Sequence, residues 1–186
     1  MNVGSSKVDW AGISTKLPLE RDQEGVAKRA KLFRDFDPNG NGYLSLAEVD
    51  KGVRDVLKLN VMFDCKAVIM RAFEAAKKTG PKKSSLSDDY IEKNEFRIFL
   101  VYLRQYFEYY VMFDRIDTGD DKKISYDEFQ KALPMIEGMG CKITDPAGVF
   151  ASIDKNGGGQ ITFDEFSAWA IKAKLDLEDD DNFEDK

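Results

Sequence analysis

The sequence predicts an all-α fold built from four helix–loop–helix units arranged as two paired lobes. Three observations carry that expectation: a segment recurs along the chain, apolar residues spaced three and four apart flank each copy, and one loop position is apolar in every copy. The segment FDPNGNGYLSLAEV at 36–49 recurs as IDTGDDKKISYDEF at 116–129 and as IDKNGGGQITFDEF at 153–166. A poorer fourth copy ends in YIEKNEF at 90–96. A repeated unit too small to bury its own apolar face must stack on its neighbours, so four copies imply two pairs.

Taken in order, the chain divides into a front segment (1–23), a first unit (24–59), a second (64–105), a third (104–139), a fourth (141–176) and a tail (177–186). Residues 1–34 hold seven Lys/Arg against four Asp/Glu, whereas 174–186 hold two against seven. The basic front suits an acidic partner or an anionic lipid surface, and equally an ordinary solvated helix face.

In the first unit Ala30, Phe33 and Phe36 precede the loop and Val49, Val53 and Leu57 follow it, which is helical spacing on both sides. The third unit repeats this with Met112, Phe113 and Ile116 before the loop and Phe129, Leu133 and Met135 after it. The fourth has Val149, Phe150 and Ile153, then Phe166 and Trp169. Such stripes are core-forming.

Phe96 to Phe113 is expected to form one long helix joining the second unit to the third. Pro134 is expected to limit the helix that leaves the third loop. Asp145 is placed to cap the next helix, with Pro146 at its first position. Leu44, Ile91, Ile124 and Ile161 occupy equivalent loop positions and are expected to join paired loops through short β bridges.

Twelve-residue loops of this composition suit a hard divalent cation. Calcium takes six to eight oxygens, and a loop of this length supplies them from positions 1, 3, 5, 7, 9 and a bidentate glutamate at 12. The first loop offers Asp37, Asn39, Asn41, the Tyr43 carbonyl and Glu48, with Ser45 at position 9, directly or through water. Gly42 stands at position 6, where the chain turns through positive φ. The fourth offers Asp154, Asn156, the Gln160 carbonyl and Glu165, with Thr162 at position 9, but Gly158 supplies no oxygen at position 5.

The third loop has Asp117, Asp121, the Lys123 carbonyl, Ser125 and Glu128, yet Gly119 removes the position-3 ligand and Lys122 replaces the position-6 glycine. A left-handed lysine costs roughly 1–2 kcal/mol, so binding and a purely structural role are evenly matched there. Counting back from Glu95, the second loop has Ser84, Leu86 and Asp88 where ligands belong and Asp89 in place of glycine. That loop carries a Lys-rich insertion, and no calcium is expected in it. These loops identify the units as EF-hands, in a calmodulin- or recoverin-like arrangement. With two carboxylates per ion in the first and fourth loops, affinity should be on the order of 1–10 micromolar.

Composition narrows the alternatives. The chain has 186 residues, a formal net charge of −6 and no histidine, which leaves no His-based general base or triad and no usual zinc ligand. No enzyme activity and no catalytic residue is expected. The acidic balance argues against nucleic acid as a partner. Cys65 and Cys141 stand far apart with no CxxC pair, consistent with small core thiols in a reducing, intracellular and cytoplasmic setting. The most apolar stretch is interrupted by Arg97, Arg104 and Glu108, so no transmembrane segment is expected. Asn2 stands where N-myristoylation requires glycine, so acylation at this end is not expected.

The stretches VMFDRID, DEFQKALP, KITD and VFASIDKNGGGQITFDEFSAWA, with the earlier VLKL, resemble the flagellar calcium-binding proteins, or calflagins, of flagellated protists. The resemblance runs from about Trp10 to Lys174, and the long, inserted second unit resembles that family too. It implies attachment to a flagellar membrane through N-terminal lipid and basic residues, with calcium altering lipid or partner contacts. Two functions remain open on sequence. One is a calcium sensor that exposes an apolar groove to a partner helix or an anionic membrane. The other is a buffer or constitutive adaptor that binds calcium with little opening.

Overall fold

The computed structural model describes residues 8–79 and 89–175. The chain forms two compact lobes, the first covering Lys7–Phe107 and the second running from Glu108 onward. Part of the Lys-rich insertion, including Ser84, Leu86 and Asp88, lies outside the described residues, as do 1–7 and the acidic tail.

The first lobe contains α1 (Trp10–Lys16), α2 (Gln23–Phe36), β1 (Tyr43–Leu44), α3 (Leu46–Asp55), α4 (Asn60–Phe63), α5 (Lys66–Ala76), β2 (Ile91–Glu92) and the first part of α6 (Phe96–Ile116). Asp22 starts α2 by accepting the Gly25 N–H at 2.7 Å, satisfying one of the donors that a helix leaves free at its N-terminus. The expected stripes turn inward: Phe33, Phe36, Val49, Val53 and Leu57 are buried. The Phe96 ring meets Phe33 and Phe36 edge-on at 5.3 and 5.4 Å between centroids. Each such side chain contributes about 1.5–3 kcal/mol through burial. Gly52 lets α3 approach the Phe36 ring closely, because a Cβ there would stand 2.3 Å from it.

The second lobe takes the end of α6, then β3 (Lys123–Ser125), α7 (Tyr126–Gly138), α8 (Pro146–Ile153), β4 (Gln160–Thr162) and α9 (Phe163–Ala173). Phe113 packs on Phe163 and Phe166, and Phe129 on Phe150. Asp145 caps α8 by accepting the Gly148 N–H at 3.0 Å, with Pro146 at the first helical position, as expected.

The position-8 residues pair as anticipated. Leu44 lies opposite Ile91 in the antiparallel β1–β2 ribbon. Ile124 lies opposite Ile161 in β3–β4. All four are fully buried, so each ribbon couples two loops through a dry contact.

Three expectations are corrected. Helix α7 does not stop at Pro134 but continues to Gly138. The proline is exposed and forfeits one backbone bond, while Ile136 beyond it is fully buried and anchors the last turn. Ile136, rather than Leu133 or Met135, is therefore the deep apolar contact of that turn. The long helix also extends past Phe113 to Ile116.

Candidate metal centres

Three loops share one hydrogen-bond scheme, built from the same positions. The position-1 aspartate accepts from the N–H groups of positions 5 and 6: Asp37 from Asn41 (3.2 Å) and Gly42 (2.9 Å), Asp117 from Asp121 (3.2 Å) and Lys122 (2.8 Å), Asp154 from Gly158 (3.0 Å) and Gly159 (2.8 Å). Curling the backbone this tightly demands positive φ at position 6, and Gly42, Lys122 and Gly159 take +82°, +66° and +74°. Lys122 thus accepts the left-handed conformation expected of it.

Position 5 fixes the next turn where it has a side chain. Asn41 accepts the Tyr43 N–H at 2.8 Å and Asp121 accepts that of Lys123 at 2.9 Å. Gly158 supplies no such oxygen in the fourth loop. There Asn156 accepts the Gly158 N–H at 2.7 Å, as Asn39 accepts that of Asn41 at 2.9 Å in the first. Gly119 leaves this contact out of the third loop.

The position-12 glutamates are held by both carboxylate oxygens. One oxygen of each takes the hydroxyl and N–H of position 9: Ser45 on Glu48 at 2.7 and 2.9 Å, Ser125 on Glu128 at 2.7 and 2.9 Å, Thr162 on Glu165 at 2.8 and 3.0 Å. Each position-9 oxygen accepts the glutamate N–H in return, forming a capping box at the start of α3, α7 and α9. The other oxygen reaches the far side of the loop. Glu48 accepts the Asn39 amide at 2.6 Å, Glu128 the Gly119 N–H at 2.9 Å and the Thr118 hydroxyl at 3.1 Å, and Glu165 the N–H groups of Lys155 and Asn156 at 3.1 and 3.3 Å.

Charge follows from these contacts. Burial pushes the Glu128 and Glu165 carboxyls up, but the donors around each outweigh it and hold both below the ordinary glutamate value. Asp117 is held above the usual aspartate value by burial, reinforced by Asp121 and Glu128. The Lys122 ammonium hydrogen-bonds Asp120 and lies 3.5 Å from Asp114, which holds it protonated well above the ordinary lysine value.

In the second unit Glu95 accepts the Glu92 N–H at 2.8 Å, which keeps the position-9 to position-12 bond without a hydroxyl. Among the described residues no three His, Cys, Asp or Glu side chains form one cluster. Beside their carboxylates the first and fourth loops carry amide, hydroxyl and carbonyl oxygens and the third a hydroxyl and a carbonyl, donor chemistry that would suit hard calcium. The capping boxes escaped the sequence reading, although Ser-x-x-Glu and Thr-x-x-Glu at 45–48, 125–128 and 162–165 are the signal for them.

The flagellar calcium-binding protein (FCaBP) EF-hand domain model matches residues 13–103, and the EF-hand domain pair model matches 106–171. A flagellar calcium-binding protein of Trypanosoma cruzi is 40% identical over 173 residues, covering 92% of this chain and 82% of that protein. The chain belongs to the flagellar calcium-binding protein family. It is a calcium-binding EF-hand protein, and the resemblance drawn from its loop sequences holds across most of its length. Flagellar calcium-binding protein TB-1.7G of Trypanosoma brucei brucei is also 40% identical, over 95% of this chain and 80% of that protein. Among solved structures, a homolog of programmed cell death 6 protein from Leishmania major Friedlin aligns with 88% of this chain and 80% of that chain, at 16% identity and a TM-score of 0.44. Among the described residues no helix is long and apolar enough to cross a membrane.

Proposed function

We propose that this protein is a calcium sensor whose first, third and fourth loops hold the ion and whose lobes respond by moving the helix that follows each loop. The first set is Asp37, Asn39, Asn41, the Tyr43 carbonyl and Glu48, with Ser45 contributing directly or through water. The fourth is Asp154, Asn156, the Gln160 carbonyl and Glu165, with Thr162 in the same role, and the third is Asp117, Asp121, the Lys123 carbonyl and Glu128.

The observation that carries this reading is the engagement of both oxygens of each position-12 glutamate by protein donors, as at Glu48 with Ser45 and Asn39. A carboxylate that binds the ion through both oxygens would share with it lone pairs that these donors now occupy. Glu48, Glu128 and Glu165 each lie in the first turn of a helix, so a carboxylate drawn toward the ion draws α3, α7 or α9 with it. That couples ion binding to helix position, which is the change a sensor needs and a buffer avoids. The partner is a protein helix received in an apolar groove. The names of the relatives support a flagellar location, which a fluorescent fusion expressed in Trypanosoma brucei would test.

The deciding experiment is a calcium titration of the full chain followed by tryptophan fluorescence, apolar-dye binding and calorimetry. Binding accompanied by a fluorescence change and new dye binding is expected. Binding with neither change would sink the sensor reading and leave a buffer.

A further inference from the structure

The segment Trp10–Glu20 takes no part in the loops, yet it is built onto the first lobe. Ile13, Leu17 and Leu19 are buried, and the Trp10 ring lies 5.7 Å from that of Phe107 on α6. Asp9 starts α1 by accepting the Gly12 N–H at 2.9 Å. At seven residues α1 is far below the length at which a helix stands alone in water, so docking is what keeps it helical.

How it is held matters more. Among the described residues its backbone-to-backbone hydrogen bonds are all internal. The lobe instead grips it with cationic side chains on its carbonyls. Lys16 in turn reaches out to the Lys58 carbonyl at 3.1 Å. Arg29 on α2 donates to the Pro18 carbonyl at 2.9 Å and also to that of Glu20, while Arg97 on α6 donates to the Leu19 carbonyl at 2.9 Å. Burial, and then the proximity of Arg97, hold the Arg29 guanidinium below its ordinary value. Two guanidiniums from different helices are therefore brought together against their repulsion, around three carbonyls that follow a helix C-terminus.

An apolar face set into a lobe, with its trailing carbonyls on a cationic fork, is the geometry in which a groove receives a foreign helix. We infer that Trp10–Glu20 is an internal ligand seated in a partner-binding groove of the first lobe. The partner that fits this groove is a short protein helix with an aromatic residue, aliphatic residues three and seven places later, and C-terminal carbonyls or a terminal carboxylate for Arg29 and Arg97. The inference goes beyond the calcium reading, because none of these contacts involves a loop ligand.

The test uses the full chain and a fluorescein-labelled peptide of residues 8–21. The double variant Ile13→Asp/Leu17→Asp removes the segment's apolar hold without altering the groove. It should bind the peptide saturably at 1:1 and at least tenfold more tightly than the unsubstituted chain, and a peptide carrying Trp10→Ala and Leu17→Ala should not bind. If the double variant fails to fold by circular dichroism, Ser14→Pro, which breaks α1 alone, replaces it with the same expectation. A folded variant that does not bind the peptide, or binds no better than the unsubstituted chain, would overturn the inference. So would recruitment of the variant to phosphatidylserine vesicles without peptide binding, which would assign the groove to lipid.

Discussion

The ammonium of Lys122 lies 3.5 Å from a carboxylate oxygen of the buried Asp114, on the helix that leads into the third loop. The cation that replaces a glycine at position 6 is thus paired with Asp114 and Asp120. It still imposes a left-handed lysine at φ +66°, at roughly 1–2 kcal/mol. Lys122→Gly relieves that strain and removes the half-exposed pair with Asp120, worth only about 0–1 kcal/mol, but it also takes this cation from the buried Asp114 carboxylate, which costs about 1–3 kcal/mol. The two effects are of similar size and opposite sign, so the variant should be no more stable than the natural chain in chemical denaturation. With one positive charge removed beside Asp117, Asp121 and Glu128, calcium affinity at the third loop should rise. Calorimetry showing an unchanged or weaker third site would contradict this.

Substituting the position-12 acid should remove one ion at a time. Glu48→Gln retains the size of the side chain and a carbonyl oxygen for the Ser45 hydroxyl and N–H, so the start of α3 survives. It loses the bidentate charge that calcium needs. Calorimetric stoichiometry should fall by one relative to the unsubstituted chain, with helix content by circular dichroism maintained, and Glu165→Gln should do the same for the fourth loop. Stoichiometry that stays level in either variant would show that the glutamate is not a ligand.

What was legible in the sequence is what chemistry ties to fixed spacing. The hydrogen-bonded frame between Asp37 and Glu48 follows the twelve-residue spacing of the repeat, and the Leu44–Ile91 and Ile124–Ile161 pairings follow because position 8 faces the neighbouring loop. Features decided by tertiary contacts were not legible. Pro134 is a helix breaker locally, but Ile136 draws the chain onward into the core. Ile13, Leu17 and Leu19 are too few to announce a docked element, and the carbonyls beside them are held by Arg29 and Arg97, which come from elsewhere in the chain.

The fourth loop lacks one oxygen that a single substitution can supply. A Cβ at Gly158 would approach Asn156 Oδ1 to 2.6 Å, and that atom is the end of a side chain that can turn. Gly158→Asp therefore places a third carboxylate beside Asp154 and Glu165 at modest steric cost, and ligand charge is a principal determinant of loop affinity. Calcium binding at this loop should tighten several-fold, read as a leftward shift of the corresponding calorimetric phase. A fourth loop that binds more weakly would mean that the aspartate is turned away from the ion.

Gly52 tests the core of the first lobe independently of any ion. The Cβ of Gly52→Ala would stand 2.3 Å from two carbons of the fully buried Phe36 ring, and Phe36 is itself wedged edge-on against Phe96. No rotation of so confined a ring relieves the contact, so α3 must shift away from α2. Overpacking of this kind costs about 1–3 kcal/mol, partly offset by the better helix propensity of alanine, about 1 kcal/mol. Because α2 leads into the first loop and α3 leaves it, the same shift should weaken calcium at that loop and leave the third and fourth unaffected. Denaturation and calorimetry on the one variant read both effects. A variant as stable as the natural chain, with an unchanged first site, would show that Phe36 has room the packing does not reveal.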